Sequence, residues 1–269
     1  MLLKTLITSF FSIILLVACG QKQTPQKVGL VEKEIEYSSD STTMKGYLVY
    51  DGDVQGKRPG ILVVHEWWGN NDYSKNRARM LAKLGYIAFA LDMYGNGKVA
   101  DNPDDAGKYA TEVFSDIKKA EARFIAAYNL LKEQEQTDPE KIGAIGYCFG
   151  GSVVLHMASI GTDLAAVVSF HGGLKPIISA EPKNVKAHIL VCTGGSDPMV
   201  PKEDVEKLSK EFNEAGIKYE IVTYPDATHA FTNPASDENG KKFNIPIAYN
   251  EKADKESWEK MKEFFKAYL

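Results

Sequence analysis

The chain has 269 residues, 44% hydrophobic and 25% charged, the balance of a globular protein that can bury a substantial core without disulfide staples. Its net charge of -4 at pH 7, with no basic patch interleaved with aromatics, offers no footprint for nucleic acid. There is no Gly-rich phosphate loop and no Cys or His pair at zinc spacing, so neither a metal nor another cofactor is expected.

Residues 1–18 do not read as part of a fold. MLLK gives a short positive start and TLITSFFSIILLVA an apolar stretch too short to span a membrane, the pattern of a secretory signal. It ends in Leu16-Val17-Ala18-Cys19, which resembles the lipobox of bacterial lipoproteins. In those proteins the chain is cut just before the cysteine, whose thiol is acylated. The resemblance implies a signal peptide over 1–18 and a lipidated Cys19 opening a polar tether over 19–29. It also implies an anchor in a membrane of the bacterial cell envelope, on the side away from the cytoplasm. An ordinary signal peptide with a chance cysteine is the alternative. Residues 30–269 show no repeat, linker or low-complexity segment and read as one domain. With Cys19 lipidated, Cys148 and Cys192 remain in an oxidising compartment. Cys192 lies inside an apolar strand pattern, which argues against a disulfide between them.

EKEIEYSS (32–39) and TTMKGYLVYDG (42–52) alternate like a hairpin of half-buried strands. Six short apolar runs follow: 60–65, 86–92, 142–147, 165–171, 187–194 and 219–224. They are continuous rather than alternating, as in strands buried on both faces. Helical patterns lie between most of them. One covers NNDYSKNRARMLAKLG and stops at Gly85. A long one runs from Asp104 to Gln134 and ends at TDPEK. Phe149 to Ile160 is apolar almost all round, Lys202 to Ala215 stops at Gly216, and Ala248 to Tyr268 is amphipathic. Strands alternating with helices predict an α/β fold, a mostly parallel central sheet with helices on both faces.

In such a sheet, functional residues collect at the carboxyl ends of the strands. KIGAIGYCFGG (141–151) puts Cys148 between a strand and a helix. Gly146-x-Cys148-x-Gly150 is the nucleophile elbow of α/β-hydrolases, G-x-S-x-G, with cysteine in place of serine. A side chain two residues to either side would collide with the neighbouring strand or helix. The helix that starts at Phe149 turns its positive end toward the sulfur. A nucleophile needs a base and the base an orienting group, in the chain order nucleophile, acid, histidine. Asp197, in GGSDPMVP, and His229, in YPDATHAF, complete that order, each just past a strand. His65 and His171 also end strands and are candidates to line the pocket, but both break the order. His156 falls in an apolar helix and reads as packed, His188 opens a strand at the wrong end of the sheet, and Asp226 reads as shaping the loop of His229. HEWWGNN (65–71) occupies the loop that supplies one oxyanion-hole N–H in this fold; the residue after the nucleophile supplies the other. That gives the backbones of Trp67 and Phe149. Glu66 is a carboxylate beside the nucleophile or a salt-bridged surface group, and Trp67 and Trp68 are expected to pack rather than wall a pocket.

Taken together, H-E-W-W-G, L-D-M-Y-G, G-Y-C-F-G-G, G-G-S-D-P-M-V-P and D-A-T-H-A-F resemble the dienelactone hydrolase family, over roughly residues 30–269. The resemblance implies a hydrolase that cleaves small esters or lactones through a cysteine, without a cofactor. Cys148 would be the nucleophile, His229 the base and Asp197 its orienter. Glu66 would contact the resting thiol and help deprotonate it. Tyr94, Asn96, His171 and Asn233 are the candidate substrate-binding residues. Well-known members hold a substrate carboxylate with two arginines, one two residues past the tyrosine of D-x-Y and one four past the catalytic histidine. Here those places are Asn96 and Asn233, which carry no charge. A neutral ester or lactone is therefore expected in place of dienelactone, with Lys98 the one nearby cation that would change this. A thioesterase or peptidase with the same triad, or a catalytically silent envelope lipoprotein, are the alternatives.

Overall fold

The computed structural model describes residues 28–175 and 185–269. The expected signal peptide, the lipidated Cys19 and nearly all of the tether lie outside the described residues.

β1 (Leu30–Ser39) and β2 (Thr42–Asp51) form an antiparallel hairpin. Its two-residue turn, Asp40-Ser41, has φ of 48° and 61°, the primed geometry whose twist suits a tight hairpin. Then come β3 (Arg58–Val64), β4 (Ile87–Leu91), β5 (Thr137–Tyr147), β6 (Ala166–Phe170), β7 (His188–Gly194) and β8 (Tyr219–Tyr224), all mutually parallel. They join the hairpin in one sheet of order β1-β2-β4-β3-β5-β6-β7-β8, with β2 antiparallel to β4.

Each inner strand feeds two cores, because alternate side chains point to opposite faces. On β3, Leu62 and Val64 face the core built with α3 (Ile117–Lys132), α4 (Phe149–Ser159) and α5 (Lys202–Glu214). Ile61 and Val63 face the other, covered by α1 (Asp72–Lys83) and α7 (Glu251–Tyr268). All eleven residues of α4 are buried, which is why its sequence is apolar almost all round.

The chain runs from β3 outward to β4, then returns to β5 on the other flank of β3. That reversal parts the loops after β3 and β5 and opens a crevice at the carboxyl ends of the strands. These are the loops that carry HEWWG and Cys148.

Two differences from expectation concern helices. The single helix expected over 104–134 is two, α2 (Pro103–Phe114) and α3. Asp116 leaves helical geometry (φ −129°, ψ 82°), and its carboxylate accepts the Lys119 N–H at 3.2 Å, starting a new helix there. The TDPEK segment, expected to close that helix, instead begins β5. A short helix, α6 (Ser236–Phe243), follows β8 without having been expected. No described helix is long and apolar enough to cross a membrane.

Candidate active site

Cys148 sits between the last residue of β5 and the first of α4, with φ 52° and ψ −114°. This is a strained conformation for a residue with a side chain, and it persists only where the surroundings enforce it. The surroundings are tight. A Cβ on Gly146 would stand 2.0 Å from the Gly150 carbonyl oxygen, and one on Gly150 would stand 2.3 Å from that of Val64. Glycine at both places lets the chain reverse. The Cys148 N–H donates to Phe170 O at 3.0 Å and to His171 Nδ1 at 3.1 Å.

The loops after β7 and β8 bring the other two groups. His229 Nε2 lies 3.1 Å from Cys148 Sγ, and His229 Nδ1 lies 2.8 Å from Asp197 Oδ2. Both side chains are almost wholly buried, and Asp197 Oδ1 is occupied by the Met199 N–H at 2.8 Å. The GGSDP segment is glycine-rich because its loop rests directly on the loop of His229. A Cβ on Gly194 would meet Ala227 O at 2.4 Å, while the Ser196 N–H donates to that same carbonyl and its hydroxyl to Pro225 O. Burial opposes charge on His229, but the negative charge of Cys148 and the Asp197 carboxylate outweigh it and raise its pKa to about 10. The imidazole is thus biased toward its protonated form.

The HEWWG loop is held from below. The Gly150 N–H donates to His65 O at 3.1 Å, and His65 Nε2 accepts the Met93 N–H at 3.2 Å. Burial pushes the pKa of His65 down, so it stays neutral. Tyr94 donates its hydroxyl proton to Trp67 O at 2.8 Å. Asp92, fully buried, accepts the N–H groups of Lys45, Tyr94, Gly95 and Gly97 within 3.1 Å. L-D-M-Y-G is thus the scaffold of the loop. Among the described residues, the N–H groups of Trp67 and Phe149 meet no protein acceptor.

Cys148 and His229 open into a cavity of about 280 Å³. Its walls are mostly apolar: Trp67, Trp68, Phe114, Phe149, Met199 and Ile247. Both tryptophans, expected only to pack, are walls of the site. Phe114, Met199 and Ile247 had no signal in the sequence beyond being apolar. Among the described residues no lysine or arginine lines the cavity.

The profile of the dienelactone hydrolase family matches residues 44–269. The chain belongs to this family. It is a dienelactone hydrolase-like ester hydrolase with the α/β-hydrolase fold. It is 32% identical to the protein usf of Aquifex pyrophilus, over 87% of this chain and 98% of that one. It resembles a dienelactone hydrolase-like promiscuous phosphotriesterase from metagenomic libraries at 32% identity, TM-score 0.84, over 89% and 99% of the two chains. A solved protein called m3DLH gives 34% identity, TM-score 0.85, over 90% and 99%.

Against the family's pattern, the structure moves four expected substrate contacts out of the cavity lining. Tyr94 is buried beneath the HEWWG loop, with its hydroxyl on Trp67 O. Asn96 is exposed in a turn of φ 56°, tied through its N–H to Thr43 O. His171 is fully buried behind the elbow. Asn233 is buried and donates from Nδ2 to Glu66 Oε2 at 2.6 Å. Lys98 also stays outside, pairing with Glu112 and lying over the Tyr109 ring. The resting contact expected between Glu66 and the thiol is replaced by this Glu66–Asn233 bond, because the sulfur is already engaged by His229 and the amide is the better donor. Glu66 Oε1 is buried without any hydrogen-bond partner.

A buried carboxyl with one neutral partner holds its proton tightly. Burial raises the pKa of Glu66 from 4.5 to about 7, against the opposing pull of Asn233, His229 and Arg77. The folded state thus binds this proton more strongly than the unfolded one. The stability it contributes is complete below about pH 4.5 and is lost as pH rises through about 7. Glu66→Gln removes that loss. The variant should match wild type near pH 4 and exceed it at pH 8 by at most about 3 kcal/mol. Thermal unfolding at the two pH values checks this; an advantage that does not change with pH would assign the titration to another group.

Proposed function

We propose that this protein hydrolyses a small neutral ester or lactone through Cys148, His229 and Asp197. The observation that carries this reading is the hydrogen-bonded chain from Asp197 through His229 to the Cys148 sulfur, open to the cavity. Cys148 Sγ attacks the carbonyl carbon, and the C–S bond forms as the carbonyl oxygen takes negative charge. The N–H groups of Trp67 and Phe149 receive that oxyanion. The C–O bond to the leaving group breaks as His229 Nε2 delivers its proton to the departing oxygen. Water, deprotonated by the same nitrogen, then attacks the acyl-enzyme and restores the thiolate as the acid leaves. Asp197 holds the imidazole with Nδ1–H directed at its carboxylate and supports its charge at both proton transfers. Glu66 is assigned to thiol activation by family resemblance, through a swing of its carboxylate from Asn233 toward the sulfur.

Cys148→Ala should retain the fold and lose turnover of an activated aryl ester by a factor on the order of a thousand or more. A folded variant with wild-type rates would refute the mechanism.

The polarity of the cavity supports the substrate class. A buried carboxylate costs several kcal/mol unless a cation or several donors meet it; this lining has no lysine or arginine, its His229 is already paired with Asp197, and it adds the carboxyl of Glu66. kcat/KM for a neutral ester should exceed that for a carboxylate-bearing analogue of equal size by on the order of tenfold, as about 1.4 kcal/mol of lost pairing gives. A preference for the anionic analogue in a paired assay would overturn this assignment.

We also propose that residues 1–18 are a signal peptide and that Cys19 carries lipid, leaving residues 30–269 as one hydrolase domain tethered to a bacterial envelope membrane. The Leu16-Val17-Ala18-Cys19 pattern supports this. Cys19→Ser should move the protein from the membrane fraction to the soluble fraction; a variant that still sediments with carbonate-washed membranes would contradict it.

A further inference from the structure

His171 has φ 39°, is fully buried, and has no part in the chemistry proposed above. Its hydrogen bonds run from the peptide of Cys148 to Thr232. Nδ1 accepts the Cys148 N–H, so Nδ1 is bare and the ring proton is on Nε2. Nε2–H therefore donates to Thr232 Oγ1 at 2.7 Å. The Thr232 and Tyr73 hydroxyls share a hydrogen bond at 2.6 Å, and the Tyr73 oxygen also accepts from Arg77 Nε at 3.3 Å. Arg77 in turn donates to Thr232 O and to Asp254, each at 2.5 Å. Its guanidinium lies over the rings of Tyr73, Tyr147 and Trp258. One buried cation on α1 thus grips Thr232 from two sides, and α7 anchors that cation.

Thr232 lies three residues past His229, on the same loop. We infer that His171 and Thr232 are positioning residues, a staple that ties the peptide of Cys148 to the loop carrying His229 and so holds Sγ and Nε2 in register. Beyond the Nε2–Sγ contact itself, this chain of bonds bridges parts that are far apart in the sheet: the elbow belongs to β5 and α4, whereas the base follows β8 across two intervening strands. Burial, reinforced by the charges of His229 and Arg77, drives the pKa of His171 well down and keeps it a neutral acceptor beside an imidazolium. The Cys148 N–H retains Phe170 O when the staple is broken, so the elbow itself does not depend on it. The cost falls on register rather than on folding. The inference rests on Cys148 being the nucleophile.

The test compares Thr232→Val, which keeps the shape and removes the hydroxyl, with Thr232→Ser, which keeps the hydroxyl. His171→Asn is the second route: asparagine tolerates positive φ and keeps an acceptor for the Cys148 N–H but does not reach Thr232. For an activated neutral aryl ester, Thr232→Val and His171→Asn should each lower kcat on the order of tenfold, with KM within about twofold, since small misplacement of reacting groups acts on the chemical step. Thr232→Ser should recover most of the rate. The double variant should be no slower than either single one, because both break the same link. Wild-type kcat in Thr232→Val, equal loss in Thr232→Ser, or losses that multiply in the double variant would overturn the inference. Alkylation of Cys148 by iodoacetamide, measured without ester, separates the two readings. If turnover survives Cys148→Ala, the proposed function fails, and the staple stands or falls on whether Thr232→Val slows alkylation.

Discussion

A sulfur can stand clear of the end of a parallel sheet only if the chain reverses at that residue, and the positive φ of Cys148 makes that reversal. The rest of the site is arranged around the space this bend requires. Gly146 and Gly150 come so close that neither tolerates a Cβ, and Gly150 presses on the end of β3, where its N–H takes the His65 carbonyl. The HEWWG loop therefore begins at a point fixed by the elbow. Of the first N–H groups of α4, that of Gly150 is spent on this contact and that of Phe149 is left without a protein acceptor among the described residues.

Around that bend the ionisable groups divide by whether their burial is compensated. Asp197 and His229 compensate each other. Asp92 is as deeply buried but is met by four backbone N–H groups, so it serves as a structural anchor. His65 and His171, with no charged partner, stay neutral and act as hydrogen-bond posts. Glu66 is the exception, with a single amide partner and one oxygen unsatisfied. A buried carboxyl left in that condition in the wall of the cavity is the kind that function, rather than stability, retains.

Relatives at 32% and 34% identity share nearly the whole fold, so the scaffold that builds the elbow tolerates wide sequence change. With Asn233 turned onto Glu66 and Asn96 outside the crevice, aromatic walls and Met199 are left to meet whatever enters.

The sequence by itself determined the strands, the elbow and the order of the three groups now found in contact, because each is written in local patterns: continuous apolar runs, paired glycines, and a residue just past a strand. It did not show the break between α2 and α3, since both halves keep a helical period and only the backbone at Asp116 departs from it. Where Tyr94, Asn96, His171 and Asn233 sit is set by partners remote in sequence: the Tyr94 hydroxyl by Trp67 O, the Asn96 N–H by Thr43 O, the His171 ring by Thr232 Oγ1 and the Asn233 amide by Glu66. Met199 and Ile247 become walls only once β7, β8 and α6 are placed. Backbone periodicity is a local property and can be read from neighbours. The direction of a loop side chain depends on hydrogen bonds closed across the whole fold, and only the tertiary structure decides it.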